Sequence, residues 1–329
     1  MGAGARLAAM APVDAVHEPL LPREVSIGSS RVRRVLPNRT RRMVGAWCLL
    51  DHLLGDDRAG DGAARSVPPH PHAGQQLVTW LFHGALRHVD SLGSDAVVRP
   101  GQLALMTAGH GICHAELARD GGASPDDRSR LHGVQLWACL PDDLRDSAEP
   151  DFTHIAGLPT YAEGGVTLTV LVGALAGEVS TAPVHSPLLA AEIRLRPGSF
   201  ALLPLEPAFE HGVLGVAGEV LVEGRPVPAD EMAYLGDGRD GLRIEAPEGS
   251  GDEVVLLLLG GEPFAERIVM WWNFVGRSHD DVLEQRAAWN GPGVSWTPPR
   301  YGEVRGFGGD RLLAPPLPPV RLRARGREA

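Results

Sequence analysis

The apolar residues of this chain come in short bursts, and a glycine or proline turn follows most of them. Residues 77–82, 86–89, 96–99 and 102–106 succeed one another with Gly84, a turn at 91–94 and Pro100-Gly101 between them. Each burst has the length of a strand rather than a helix, so the spacing predicts an all-β chain. The pattern resumes over 131–140, 166–172, 191–196, 200–205, 219–223, 232–235, 242–245 and 254–259. Strands this short and this closely spaced form a barrel or a sandwich. The run Arg99-Pro100-Gly101-Gln102-Leu103-Ala104-Leu105 is echoed by Arg196-Pro197-Gly198-Ser199-Phe200-Ala201-Leu202, which predicts two related β-barrels in tandem. With 329 residues, 43% of them hydrophobic, the chain can bury a large core.

The ends read differently. Residues 1–20 are Ala/Gly-rich without periodicity and are expected to be disordered. Ser278, with Asp281 three residues on, has the form of a capping box and predicts a short helix that Gly291 stops. Beyond it Pro298-Pro299, Pro315-Pro316 and Pro318-Pro319 predict an extended tail. The expected division is therefore 21–180 for a first barrel, 181–290 for a second barrel with the helix, and 291–329 for the Pro/Arg-rich tail.

Two histidines spaced i, i+2, His70 and His72, lie on one side of a strand, because strand side chains alternate faces. His114 and Glu116 repeat that spacing on a second segment. If the two segments face each other, three imidazoles and a carboxylate converge. Neutral imidazole binds Zn, Cu, Fe or Ni, and the added carboxylate favours iron or a related metal over a closed zinc site. The alternative is four ordinary polar strand residues; a second i, i+2 pair at the end of a matching strand weighs against it. Cys113 is offset by one residue and turns away from that face. His83 and His88 straddle Gly84 and are expected on the solvent side of that turn, the alternative being hydrogen bonds behind the site; Asp90-Ser91 is expected to cap a turn of its own. His185 and His211 lack a His or carboxylate at i, i+2, so no second metal is expected.

Composition narrows the function classes. A formal net charge of −10 argues against a broad nucleic-acid surface. All basic residues are arginine, which excludes Schiff-base chemistry and a phosphate-loop lysine. Three cysteines are too few for a disulfide framework. No apolar run approaches a membrane span, and residues 7–11 are too short for a secretory signal, so a cytoplasmic protein is expected.

Several of these segments resemble the pirin family of the cupin superfamily. They are Arg33-Arg34-Val35-Leu36-Pro37, Asp51-His52, His70-Pro71-His72, Gly84-Ala85-Leu86-Arg87-His88-Val89-Asp90-Ser91-Leu92-Gly93 and Met106-Thr107-Ala108-Gly109-His110-Gly111-Ile112-Cys113-His114-Ala115-Glu116. Gly133-Val134-Gln135-Leu136-Trp137, Gly261-Glu262-Pro263 and Trp272-Asn273-Phe274-Val275-Gly276-Arg277 also fit. The resemblance implies a bicupin: two tandem cupin-type β-barrels, one Fe(II) in the first, and no metal in the second. It places the metal on His70, His72, His114 and Glu116, with other divalent transition metals as alternatives to iron. Gln75, Gln76 and Leu77 stand where general cupins place a glutamate, and Glu116 supplies the carboxylate instead. Ala115 and Ala46-Trp47 depart from the family's usual residues without removing a ligand.

The resemblance implies one of two activities. One is a dioxygenase of the quercetin 2,3-dioxygenase type, acting on a small aromatic or flavonol-like substrate, with Glu116 as ligand and, when displaced, base. The other is a non-catalytic, iron-binding regulator of a protein partner, an enzyme or a transcription factor. Neither involves direct contact with nucleic acid or a membrane.

Overall fold

Bursts that alternate apolar and polar residues become short antiparallel strands, and the turn residues between them reverse the chain. The structure is a computed structural model that describes residues 16–27, 30–54, 66–119, 131–291, 300–307 and 309–328. The chain divides into two discontinuous units. One takes 22–158 together with 264–329; the other takes 159–263 with the segment up to Leu21.

The first unit has a seven-stranded sheet in the order Asp151–Ala156, Gln102–Thr107, Gln75–His83, His132–Cys139, Trp47–Leu53, Ser30–Leu36, Arg23–Ile27. A four-stranded sheet has the order Ser66–His72, Ile112–Arg119, Ala85–Asp90, Asp95–Val98. The second unit repeats this plan. Its seven strands run Glu18–Leu20, Met232–Gly236, Glu210–Ala217, Val254–Gly261, Leu188–Leu195, Val166–Val172, Thr160–Glu163. Its four run Phe200–Pro204, Gly241–Glu245, Val220–Val222, Arg225–Val227. No ladder among the described strands joins the two sheets of a unit. By hydrogen bonding, each cupin-type barrel is therefore a seven-stranded sheet faced by a four-stranded one.

The facing is visible in the second unit's core. Leu168 and Val170, Ala191 and Ile193, and Leu256 and Leu258 come from alternate positions of the larger sheet. They share one cluster with Leu203, Val220, Val222, Leu242 and Ile244 of the smaller. Alternation of this kind buries one face of each sheet.

Three features differ from the sequence reading. Residues 1–15 lie outside the described residues, but 18–20 are not disordered. Glu18, Pro19 and Leu20 pair with Tyr234, Ala233 and Met232, and Leu20 is fully buried. The Arg-Pro-Gly parallel does not mark equivalent places: Gln102–Thr107 belongs to a seven-stranded sheet and Phe200–Pro204 to a four-stranded one. The repeat lies in strand order, not in that motif.

The helix and tail also fall elsewhere than a linear division would put them. The helix His279–Asn290 carries the expected capping box, in which Ser278 Oγ accepts from the Asp281 amide. Its Val282 and Trp289 pack with Ala73, Val89, Cys113 and Ala115 of the first unit, together with Tyr301, Val304 and Ala314 of the tail. The last turns of the chain thus cover the outer side of the sheet that carries the histidine pair.

Candidate metal centre

The strand Ile112–Arg119 lies between Ser66–His72 and Ala85–Asp90, which puts His114 directly opposite His70 on one side and Asp90 on the other. Ile112 pairs with His72, so alternation brings His70, His72 and His114 onto one face. Their ring centroids are 4.4 to 5.1 Å apart, and a potential ligand nitrogen of each lies within 4.8 Å of the others. All three are buried. Cys113 points the other way, into the cluster under the helix, where burial pushes its thiol well up.

Those nitrogens suit a metal. His72 Nε2 and His114 Nε2 are buried with no hydrogen-bond partner. An orphaned buried acceptor is costly unless something fills its lone pair. Burial, reinforced by the neighbouring imidazoles, pushes both rings well below the usual histidine range, so both are neutral and able to ligate. His70 Nδ1 donates to the Pro68 carbonyl at 2.8 Å, which puts its remaining lone pair on Nε2.

Behind His114 runs a buried chain of polar groups. His114 Nδ1 lies 3.3 Å from His88 Nδ1, and His88 Nε2 lies 3.0 Å from Asp90 Oδ2. If His114 binds through Nε2, Nδ1 carries its proton and donates to His88, and His88 Nε2–H donates to Asp90. The backbone amides of Leu92 and Ser94 each donate to Asp90 Oδ1 at 2.9 Å. Burial raises the Asp90 carboxyl, but the bonds from His88 and Ser94 outweigh it and hold the pKa below the usual range. His88 is therefore not the solvent-side residue the turn suggested. It is buried and stacked on Phe152 at 3.9 Å. His88 and Asp90 form a third i, i+2 pair, a signal that was present in the sequence.

The opposite sheet supplies two more contacts that motif spacing could have shown. Gln135 and Trp137 share a face of His132–Cys139. Gln135 donates its amide to Glu116 Oε1, and Trp137 meets the His72 ring edge-to-face at 5.2 Å. Glu116 is buried but stands outside the three-histidine set, past a register shift that sets it opposite Val67. The Gln75 amide touches His72 Nδ1 at 2.8 Å and donates to the Asn273 carbonyl at 3.1 Å, while its own Oε1 has no partner. Ligation through His72 Nε2 puts a proton on Nδ1, and a half-turn of the Gln75 amide would offer that orphaned oxygen as its acceptor at the cost of the bond to the Asn273 carbonyl. Gly74 makes room for this corner: with φ +81°, a Cβ there would meet the Val275 carbonyl at 2.0 Å.

The pirin family model matches residues 29–138, and that of the pirin C-terminal cupin domain matches residues 190–293. The chain belongs to the pirin family. Among pirin relatives, a Pseudomonas aeruginosa protein named "Putative quercetin 2,3-dioxygenase" is 44% identical over 92% of both chains. Human pirin is 29% identical over 83% of this chain and 92% of its own length. A crystal structure of quercetin 2,3-dioxygenase from Acinetobacter baumannii superposes with a TM-score of 0.83 at 40% identity, covering 94% of this chain and 98% of that one.

In this pirin the second unit's counterparts of the two histidine-bearing strands are Phe200–Pro204 and Gly241–Glu245, which carry no histidine. Burial of its His211, with the nearby Arg239 charge and against a backbone contact at Phe209, lowers its pKa to about 4. The unfolded chain, at about 6.5, then binds this proton more readily than the folded one. Stability through His211 is full above about pH 6.5 and lost as pH falls towards 4. We expect about 1 kcal/mol of loss between about pH 7 and pH 5.5. Denaturant unfolding across that range measures it, and His211→Leu should flatten the slope; an unchanged slope would remove His211 as its cause.

Proposed function

We propose that this pirin is an Fe(II)-dependent dioxygenase acting on flavonols of the quercetin type, with His70, His72, His114 and Glu116 as the metal ligands. The observation that carries the reading is the buried trio of imidazoles, with the Nε2 atoms of His72 and His114 orphaned, in a chain so similar to quercetin dioxygenases. Three neutral nitrogens and one carboxylate leave coordination positions open, which suits iron better than a closed structural zinc site. Bound there, the iron would supply Lewis acidity towards the adjacent oxygens of a flavonol and redox chemistry towards dioxygen.

The chain's own residues do the rest. His88 and Asp90 fix the proton of His114 on Nδ1, and Pro68 fixes that of His70. Gln135 holds Glu116, whose carboxylate serves as fourth ligand and, when displaced, as the base that takes the flavonol hydroxyl proton. Trp137 walls the site with an apolar face suited to an aromatic substrate. The three free, buried cysteines suit a reducing compartment, and we place the protein in the cytoplasm.

The test is oxygen consumption with quercetin by the iron-loaded protein, repeated after chelation and after restoring iron. Consumption that disappears and returns with the metal supports the enzyme. A protein that holds a full equivalent of iron yet leaves quercetin and oxygen unchanged would overturn it in favour of the regulatory reading.

A further inference from the structure

The arginines at the C-terminal end are arranged in a way the dioxygenase reading does not use. Arg321, Arg323, Arg325 and Arg327 alternate along the tail, and two neighbouring grooves of about 640 and 570 Å³ share Arg323 and Arg325 in their walls. Arg267 and Arg42 complete the basic part of a lining that also holds apolar residues such as Ile268 and Met270, against a single carboxylate, Glu328. In a chain of net charge −10, this is a concentrated basic surface.

The grooves are built on anchored backbone. Ile268 and Arg325 exchange both main-chain hydrogen bonds at 2.9 Å, and the Arg42 amide donates to the Arg327 carbonyl at 2.6 Å. The Leu322 amide donates to His279 Nδ1, and the Arg267 guanidinium donates to the Ala324 carbonyl. Acidic neighbours are already taken: Asp280 pairs with Arg321, and Glu328 with Arg41. Arg42, Arg323 and Arg325 have no carboxylate partner among the described residues. Burial, and after it the nearby Arg325 charge, push the Arg42 guanidinium down.

We propose that this arginine-lined surface is a docking site for a short acidic segment of a partner protein bound in extended conformation. Alternate residues of an extended chain recur every ~6.6 Å, so Arg323 and Arg325, the tail arginines with no carboxylate partner among the described residues, match the spacing of alternate carboxylates on an extended peptide. A phosphate-sized anion would need convergent donors rather than a row. A nucleic-acid strand would need faces on which bases can stack. Phe264 is the one aromatic side chain in the lining, and the Arg277 guanidinium already lies over its ring at 5.8 Å. The chain's overall negative field also repels a long polyanion, while a local groove still captures a short one.

The experiment uses the full chain and a fluorescein-labelled heptapeptide with glutamate at alternate positions separated by serine, read by anisotropy. Saturable binding that weakens with added salt is expected. Arg323→Glu/Arg325→Glu should lower affinity about tenfold or more, since two attractions become repulsions. Iron content and thermal midpoint of the variant, measured alongside, should match those of the parent, because these side chains make none of the backbone bonds that seat the tail. Absence of binding, equal binding by the charge-reversed variant, or tighter binding of an oligothymidylate of equal charge would each overturn the proposal.

Discussion

His114→Ala should lower affinity for Fe(II) by more than about 100-fold, beyond the range seen when only a residue behind a ligand is lost. Flavonol-dependent oxygen consumption should disappear with the metal. His114 is the central member of the trio, opposite His70 in register and in ring contact with both His70 and His72. The stability of the metal-free chain should change much less. The lost ring leaves a small cavity, but an unsatisfied buried nitrogen goes with it. Elemental analysis after gel filtration, with thermal unfolding in chelator, separates the two effects. A variant that retains a full equivalent of iron would remove His114 from the ligand set.

The strands were legible because alternation and turn residues act locally. Residues 166–172, 232–235 and 242–245 emerge within a residue or two of their predicted ends. What escaped depended on distant neighbours. Glu210–Ala217 was missed because Gly212 and Gly215 interrupt its apolar run. A Cβ at Gly215 would meet the Pro228 carbonyl at 2.4 Å, so tertiary packing requires a residue that strand propensity disfavours. Asp151–Ala156 is an edge strand with no buried residue, so it shows no apolar period. Glu18–Leu20 is held by a partner strand more than 200 residues away, which no local pattern can reveal.

At the site, spacing placed the three histidines on one face because faces follow from alternation alone. The Glu116 offset was illegible, since it arises from a register shift between His114 and Glu116 that spacing cannot show. For His88 the turn at Gly84 favours solvent over the alternative of a hydrogen bond behind the site, and the structure shows the alternative: Phe152 covers the ring and Asp90 holds its Nε2.

Asp90→Asn should weaken Fe(II) binding by about 10- to 100-fold, although asparagine has the same shape and touches no ligand-set residue directly. The amide oxygen of the substituted side chain can still accept from the Leu92 and Ser94 amides, so the turn is kept. The new amide nitrogen then faces His88 Nε2, which must become an acceptor. The His88 proton moves to Nδ1, where it confronts the Nδ1–H that His114 needs when it binds metal through Nε2. One of the two protons must move. If it is that of His114, it goes to Nε2 and blocks the lone pair meant for iron. A merely structural role for Asp90 predicts a lowered melting temperature and an unchanged metal constant. The proton-orienting role predicts the reverse, with a near-normal midpoint in chelator and a weakened constant by competition titration. His88→Gln should rescue part of the loss seen in His88→Ala, because a glutamine can accept from His114 and donate to Asp90. Wild-type iron affinity in Asp90→Asn would show that the chain from His114 through His88 to Asp90 does not orient the ligand.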